Sequence, residues 1–465
     1  MNYWLVRAKW GADDKTGEFL KNNEWTNGYE GTKFLNEVNN VQIEDILLLA
    51  DGSYIRYYGK CIENSNNGTS IYVDKWTEIK PLYVEAKGAY VKTISKIGNS
   101  KTKKEIDIAV SKTLSSLDIL KISAIEISGF TVFKTQKLNF SNGLNIIIGE
   151  NATGKSHLLR LIYSIVKTNN QIVISDSLTK TVLQRRIAED LGNVFSVERV
   201  GNLVQKSKKI STIKLNFTKY TIGFTLRPKT EKEVGIESVP EKLFEKKGIF
   251  VPTQEMLSVF PGFTLLYRKR EIEFDETYYD LCSALEVPLL KNLHSYPEKI
   301  EIIESLEKIL NGKIKIKNGR FYLDTKDKGS LEITIIAEGF RKLAMLSYLI
   351  ANDSLDKDSI LFWDEPESNL NPKLIILIAK TLLELSSYGV QIFIATHSLF
   401  LLKEIEILKS QKYDIKYFSL ALREGTTTTI QRNDIEDIDE LVLLDEELKQ
   451  SDRYLEKEDI YGEEN

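Results

Sequence analysis

The chain has 465 residues, 42% of them hydrophobic, enough for two to three domains with real cores, and it lacks both a run of about 18 apolar residues and a secretory leader at Met1-Asn2-Tyr3-Trp4-Leu5. Two cysteines, Cys61 and Cys282, and three histidines, His157, His294 and His397, argue against a disulfide framework or a Cys/His metal cluster and for a reducing cytoplasm. The formal charge of −4 is uneven: residues 434–465 carry fourteen acids against Lys449, Arg453 and Lys457, leaving a mildly basic body compatible with nucleic-acid contact.

Residues 1 to about 95 hold Trp4, Trp10, Trp25 and Trp76, four of the five tryptophans. Short apolar or alternating runs recur there: Tyr3-Trp4-Leu5-Val6, Ile46-Leu47-Leu48-Leu49, Tyr54-Ile55-Arg56-Tyr57-Tyr58 and Ser70-Ile71-Tyr72-Val73. Asn and Gly clusters separate them, and 17–22 and 31–38 have helical spacing. The pattern predicts a small, mostly β, barrel-like domain. Tyr3-Trp4-Leu5-Val6, Trp25-Thr26-Asn27-Gly28-Tyr29 and Val41-Gln42-Ile43-Glu44-Asp45-Ile46-Leu47-Leu48 resemble EVE- and PUA-type domains, and the N-terminal modules of some modified-cytosine restriction enzymes. That resemblance implies an aromatic-lined pocket for a flipped base. Ordinary core packing is the alternative for these aromatics.

Residues 96–118 are polar, with Lys101-Thr102-Lys103-Lys104, and read as a linker carrying a helix at 105–117. The alternating Lys121-Ile122-Ser123-Ala124-Ile125-Glu126-Ile127-Ser128 predicts a strand. Next comes Gly149-Glu150-Asn151-Ala152-Thr153-Gly154-Lys155-Ser156, which fits the phosphate-loop pattern G-x-x-x-x-G-K-[ST]. The apolar Leu144-Asn145-Ile146-Ile147-Ile148 before it and the helical pattern from His157 after it supply the right context. Strand, glycine turn and helix aim backbone N–H groups at phosphate oxygens. Gly149, Asn151, Gly154, Lys155, Ser156 and His157 are therefore candidate nucleotide-binding residues. Lys155 is expected to reach the β- and γ-phosphates of ATP, and Ser156 to ligate Mg²⁺.

Residues 171–192 read as helix, and 204–226 as antiparallel strands with Lys206, Lys208, Lys209, Lys214 and Lys219. Those lysines make either a basic face or a solvated edge protected from aggregation. An apolar strand, Gly248-Ile249-Phe250-Val251, runs into Gln254-Glu255. Residues 274–310 have helical spacing broken by Pro288 and Pro297, and 313–323 read as a hairpin through Gly319. No heptad run long enough for a coiled-coil arm occurs. At Ile336-Ala337-Glu338-Gly339-Phe340-Arg341-Lys342 a strand end is expected to turn through Gly339 into an apolar-faced helix. Ser359-Ile360-Leu361-Phe362-Trp363 predicts a buried strand ending in Asp364-Glu365. Asp364 is placed to hold Mg²⁺, and Glu365 to take a proton from the attacking water. Val390-Gln391-Ile392-Phe393-Ile394-Ala395-Thr396 is a further buried strand ending at His397.

These motifs, in this order, resemble the ABC-type ATPase heads of chromosome-maintenance and DNA-repair proteins and of the overcoming-lysogenization-defect nucleases. The resemblance implies that Gln254 helps hold Mg²⁺ and the attacking water, with Glu255 as the competing candidate. It makes His397 the switch histidine that senses the γ-phosphate, and Asn369-Leu370-Asn371-Pro372 the D-loop. Gly339 falls where the Ser-Gly-Gly signature donates to the γ-phosphate held by the opposite subunit. Here Ala337-Glu338-Gly339 replaces it, leaving the helix N-terminus and Arg341 or Lys342 as the charge. The lysogenization-defect nucleases carry a metal-dependent nuclease domain at the end where this sequence has 68 residues and only an imitation of its acidic letters at Asp434-Ile435-Glu436-Asp437-Ile438-Asp439.

The sequence thus predicts an α/β ABC-type head over 119–432, with a phosphate-loop parallel sheet, an antiparallel β subdomain and a helical insertion at about 165–335. A small β domain (1–95) and a linker (96–118) precede it, and an acidic tail (433–465) follows. The expected function is a cytoplasmic ATPase switch, a homodimer or higher even oligomer through its heads, without membrane attachment. In the first reading it serves anti-phage defence, senses foreign or modified DNA or RNA, and controls a separately encoded nuclease or toxin. The alternatives are a repair or recombination ATPase of the RecF kind and an ATP-dependent scaffold with little turnover.

Overall fold

The structure is a computed structural model that describes residues 2–83, 93–98 and 120–438, apart from 11–12, 30–32, 52–53, 176, 292, 294–295 and 424, together with 103, 106, 453 and 454. The helix expected at 105–117 and most of the acidic tail lie outside the described residues. Two units result, Met1–Ile119 and Leu120–Asn465.

In the smaller unit the alternating runs become β1 (Tyr3–Arg7), β2 (Glu24–Thr26), β3 (Ile46–Asp51), β4 (Tyr54–Asn64), β5 (Ser70–Val73), β6 (Thr77–Tyr83) and β7 (Ile94–Lys96). They pair in the order β2-β5-β4-β3-β1-β7, with β6 also on β4, and the described pairings leave this path open. Two short helices, α1 (Thr16–Asn22) and α2 (Leu35–Asn39), complete the unit. Trp4, Trp25 and Trp76 are all buried in its core. Trp4 donates its indole N–H to Asp45 (2.9 Å), and the same buried carboxylate accepts from the backbone N–H groups of Asn2 and Gln42. These tryptophans are spent on packing. Among the described residues, the exposed aromatics of the unit are Tyr29, beside Phe34, and the pair Tyr54 and Tyr83.

The larger unit is built on eleven strands: β8 (Ile122–Phe130), β9 (Phe133–Asn139), β10 (Leu144–Gly149), β11 (Ser211–Phe217), β12 (Thr221–Leu226), β13 (Gly235–Ile236), β14 (Gly248–Val251), then, after a separate three-stranded sheet of β15 (Gly312–Lys317), β16 (Arg320–Thr325) and β17 (Gly329–Glu332), β18 (Ile360–Asp364), β19 (Gln391–Thr396), β20 (Ile415–Arg423) and β21 (Thr426–Arg432). The eleven run β13-β12-β11-β8-β9-β21-β20-β10-β19-β18-β14. One half is antiparallel, except that β9 meets β21 in parallel at Phe133 and Thr427. In the other, β20, β10, β19, β18 and β14 are parallel. Continuous apolar runs such as Ile360-Leu361-Phe362-Trp363 suit that half, because helices cover both faces and every residue is buried. Alternate residues of one strand feed different cores: Ile146 and Ile148 face one, Ile147 the other.

Helices α3 (Lys155–Ser175) and α4 (Lys180–Phe195) pack into the second core. The first takes α5 (Phe263–Arg268), α6 (Glu276–Leu285), α7 (Pro297–Leu310), α8 (Glu338–Ala351), α9 (Pro372–Tyr388) and α10 (Leu399–Leu408). Local chemistry sets the ends of α9: Asn371 caps it by accepting from the Leu374 N–H, Pro372 opens it, and Gly389 closes it at φ 119°. The lysine-rich stretch divides. Lys206, Lys208 and Lys209 sit in the loop before β11, Lys214 pairs with Glu237 (3.0 Å), and Lys219 lies over the Phe244 ring. Among the described residues no helix is long and apolar enough to cross a membrane.

Candidate active site

Parallel alignment delivers the candidate residues to one edge. β10 ends at Gly149, β18 at Asp364 and β19 at Thr396, and each runs into a loop on the carboxyl side of the sheet. Val251 of β14 pairs with Trp363, so Gln254 emerges from that same edge. Open α/β sheets bind ligands there.

The loop between β10 and α3 needs its glycines for two different reasons. At Gly154, φ is 98°, and a Cβ would lie 2.6 Å from Val132 Cγ2 and 2.9 Å from Phe133 Cζ. At Gly149 a Cβ would come within 2.4 Å of the Leu420 carbonyl oxygen. Ala152 also takes a left-handed conformation, at φ 66°. Thr153 closes the loop by donating to the Glu150 carbonyl, and Thr427 anchors it by donating to the Thr153 carbonyl, both at 2.8 Å. The Lys155 ammonium donates to the carbonyls of Gly149 and Glu150 at 2.8 Å each. Burial lowers its pKa, against the pull of Glu365 and Asp364. Asn151 is exposed at the loop tip. His157 is instead turned to Phe195 on α4, with 5.9 Å between ring centroids, and burial lowers its pKa.

Ser156, at the start of α3, donates its hydroxyl to Asp364 Oδ1 at 3.1 Å, across 208 residues of sequence. Burial pushes the Asp364 carboxyl above the usual carboxylate range, although Ser156, Arg160 and Lys155 oppose it. A hydroxyl and a buried carboxylate side by side are hard oxygen donors, and a divalent cation would relieve the buried charge, so this pair fits Mg²⁺. One turn along α3, Arg160 pairs with Asp275, the N-cap of α6, at 2.8 Å.

Glu365 follows with its backbone at φ 50°, a conformation that costs a non-glycine residue of order 1–3 kcal/mol. Its N–H donates to the Ala395 carbonyl at 2.9 Å. The His397 Nδ1 lies 3.3 Å from Glu365 Oε1, and both side chains are accessible, at 47% and 27%.

The remaining candidates are placed differently from one another. Gln254 is exposed, whereas Glu255 is buried and accepts from Arg341 Nε at 2.6 Å and from the Leu257 N–H. Arg341 also donates to the Ile336 carbonyl, so its charge is used within the chain. The expected strand before Gly339 is a 3₁₀ turn, Ile333–Ile335, and Gly339 lies inside α8 rather than at a strand end. Closeness explains it: a Cβ there would meet Leu374 Cδ1 at 2.4 Å and Leu370 Cδ2 at 2.7 Å. Gly339→Ala is expected to cost about 1–3 kcal/mol by overpacking this contact. A denaturant titration checks it, and an unchanged midpoint would mean that the leucines yield freely. Ala337 caps α8 without a side-chain bond, which leaves first-turn N–H groups available.

Lys342, which the sequence offers as charge beside Gly339, is engaged within the chain, and Glu367 is a neighbour of the site to which the sequence reading gave no role. Lys342, fully buried, donates to the Ser368 carbonyl (2.7 Å) and hydroxyl (2.9 Å) and so ties α8 to the segment after Asp364-Glu365. Glu367 is buried beside the end of β19. Its signal was present, as the second glutamate of Asp364-Glu365-Pro366-Glu367, but its partners are remote in sequence.

Comparison with known proteins finds similarity over the larger unit. Residues 120–280 match the family model "AAA ATPase domain", and residues 254–403 match "AAA domain, putative AbiEii toxin, Type IV TA system". A protein of Helicobacter pylori named ATP/GTP phosphatase is 21% identical over 328 residues, covering 60% of this chain and 85% of that protein. Among solved structures, an Smc head bound to the C-terminal winged-helix domain of ScpA is similar at 14% identity, with a TM-score of 0.43, over 69% of this chain and 99% of that one. The SMC head of Thermotoga maritima (13% identity, TM-score 0.39) covers 67% and 99%, and the recombination mediator RecF (16%, 0.37) covers 67% and 98%. The chain carries AAA ATPase-domain sequence on both the phosphate-loop side and the Asp364-Glu365 side of its larger unit, and it is an ATPase.

Proposed function

We propose that the larger unit binds ATP·Mg²⁺ at the edge formed by Gly149–Ser156, Asp364, Glu365 and His397, and works as a dimeric switch. The observation that carries this reading is the meeting of Ser156 with Asp364, and of Glu365 with His397, at the ends of neighbouring parallel strands.

In this reading the loop N–H groups and Lys155 bind the phosphates, with Lys155 exchanging its two carbonyl partners for phosphate oxygens. Ser156 and Asp364 hold Mg²⁺, with Gln254 alongside, and the ion supplies charge neutralisation at the phosphates. Glu365 accepts the proton of the attacking water. His397 sits at the γ-phosphate, and positioning and electrostatics carry the reaction rather than covalent chemistry. The uncapped start of α8 around Gly339 is the element offered to a second copy. Because Arg341 is engaged by Glu255, backbone N–H groups make that contact.

The output we assign is control of a separately encoded effector, a nuclease or toxin, in anti-phage defence, with DNA or RNA as the signal. Support comes from the family description that links residues 254–403 to a toxin–antitoxin system, and from the separate front unit. Light scattering on Glu365→Gln protein, purified together with the products of neighbouring genes, tests it. ATP·Mg²⁺ is expected to double the mass or enlarge the assembly, with a second polypeptide retained. A monomer indifferent to ATP would overturn the switch, and an ATP-dependent dimer without a second polypeptide would overturn the effector.

A further inference from the structure

β18 and β19 are paired with Asp364 opposite Ala395, so the segments that leave them run side by side. Glu367 bridges the two. Its Oε1 accepts from the Thr396 hydroxyl at 2.6 Å and from the backbone N–H of His397 at 3.3 Å. The same oxygen lies 3.9 Å from His397 Nδ1, whose nearer carboxylate contact is Glu365 at 3.3 Å. Glu367 is only 7% exposed, and its second oxygen, Oε2, is buried without a hydrogen-bond partner.

A staple between two loops does not need this side chain. Glutamine would accept from the same hydroxyl and the same N–H without burying a charge. An ionised carboxylate with one oxygen unserved is a costly group to bury. What only the charge supplies is an effect on the imidazole. Two carboxylates facing Nδ1 hold the ring proton on that nitrogen, and Nε2 becomes the atom left to meet a ligand.

We propose that Glu367 is a positioning residue for ATP hydrolysis. Through the His397 backbone and the charge at Nδ1, it holds the imidazole against Glu365 in the tautomer that presents Nε2 to the nucleotide. The proposal rests on the assignment of Glu365 and His397 to the catalytic edge.

The test is a double-mutant cycle on the full chain, with Glu367→Gln, His397→Ala and both together, and Glu365→Gln as a reference. Glu367→Gln is expected to lower kcat about tenfold or more while KM for ATP changes by less than about twofold, because misplacing a reacting group acts on the transition state. In the His397→Ala background the same change is expected to cost less than about twofold, since residues acting as one unit are non-additive. Thr396→Val, which replaces with a methyl group the hydroxyl that donates to Glu367 and accepts from the Ser398 N–H, is expected to lower kcat in the same way and serves if Glu367→Gln does not fold. Wild-type kcat in Glu367→Gln, a loss that adds fully to that of His397→Ala, or a loss confined to KM overturns the proposal. If Glu365→Gln and His397→Ala themselves leave turnover intact, it is the assignment of the edge that fails.

Discussion

Glu365→Gln is expected to bind ATP as the wild type does and to hydrolyse it about 10²–10⁴-fold more slowly, the usual worth of a positioned general base. The side chain is 27% exposed, so water reaches it, and it stands one residue past the Ser156–Asp364 pair. Its backbone is held in a left-handed conformation by the N–H bond to Ala395. That strain has no packing purpose for an accessible side chain, and it is the kind that clusters at functional sites. Glutamine keeps size and reach but cannot accept a proton. Nothing in the loop that binds phosphate changes, so nucleotide affinity should survive. Single-turnover hydrolysis beside equilibrium binding of ATP measures both quantities. Wild-type turnover in this variant would remove Glu365 from the reaction and leave the buried Glu367 as the acid to test.

What could be read from the sequence follows how local each feature is. The phosphate loop is eight contiguous residues whose chemistry lies in their order, and the strand before it and helix after it stand in the structure where the pattern puts them. The acids at the end of β18 were visible because an apolar run must stop somewhere, and this one stops at Asp364. Pairings across the chain were invisible. Arg341 looked available for a second copy's phosphate, and 86 residues away Glu255 claims it. Gly339 suggested a turn, yet its role is to admit Leu370 and Leu374, which nothing in its own neighbourhood announces. The tryptophans of the front unit left core packing and a base pocket both open, and burial places Trp4, Trp25 and Trp76 in the core. His157 stands next to Ser156 in sequence, but the helix turns it toward Phe195. A helix makes consecutive residues face different ways, so adjacency to a motif is poor grounds for membership of a site.

Lys155→Met should separate the requirements of binding from those of folding. The ammonium is buried and held by two carbonyls, those of Gly149 and Glu150. Burial lowers its pKa in the fold, so the unfolded chain holds that proton more tightly. The folded state carries this cost at every pH below the lowered value and is relieved as pH rises through it. Methionine fills much of the same volume without the charge. It forfeits two hydrogen bonds but also the desolvation cost, and the two effects oppose each other. Without nucleotide, the unfolding temperature at neutral pH is therefore expected to stay within about 4 °C of wild type. With ATP·Mg²⁺ at about a hundredfold excess over its Kd, wild type should gain about 2.7 kcal/mol of stability and the variant nothing measurable. Thermal unfolding with and without ATP·Mg²⁺ reads both effects in one experiment. A variant still stabilised by ATP would show that the phosphates are held without this lysine. One that unfolds far below wild type in the absence of ATP would show that the lysine's bonds to the two carbonyls outweigh the cost of burying its charge, so that loss of nucleotide binding in that variant could be assigned to the phosphate contact only after the fold had been restored.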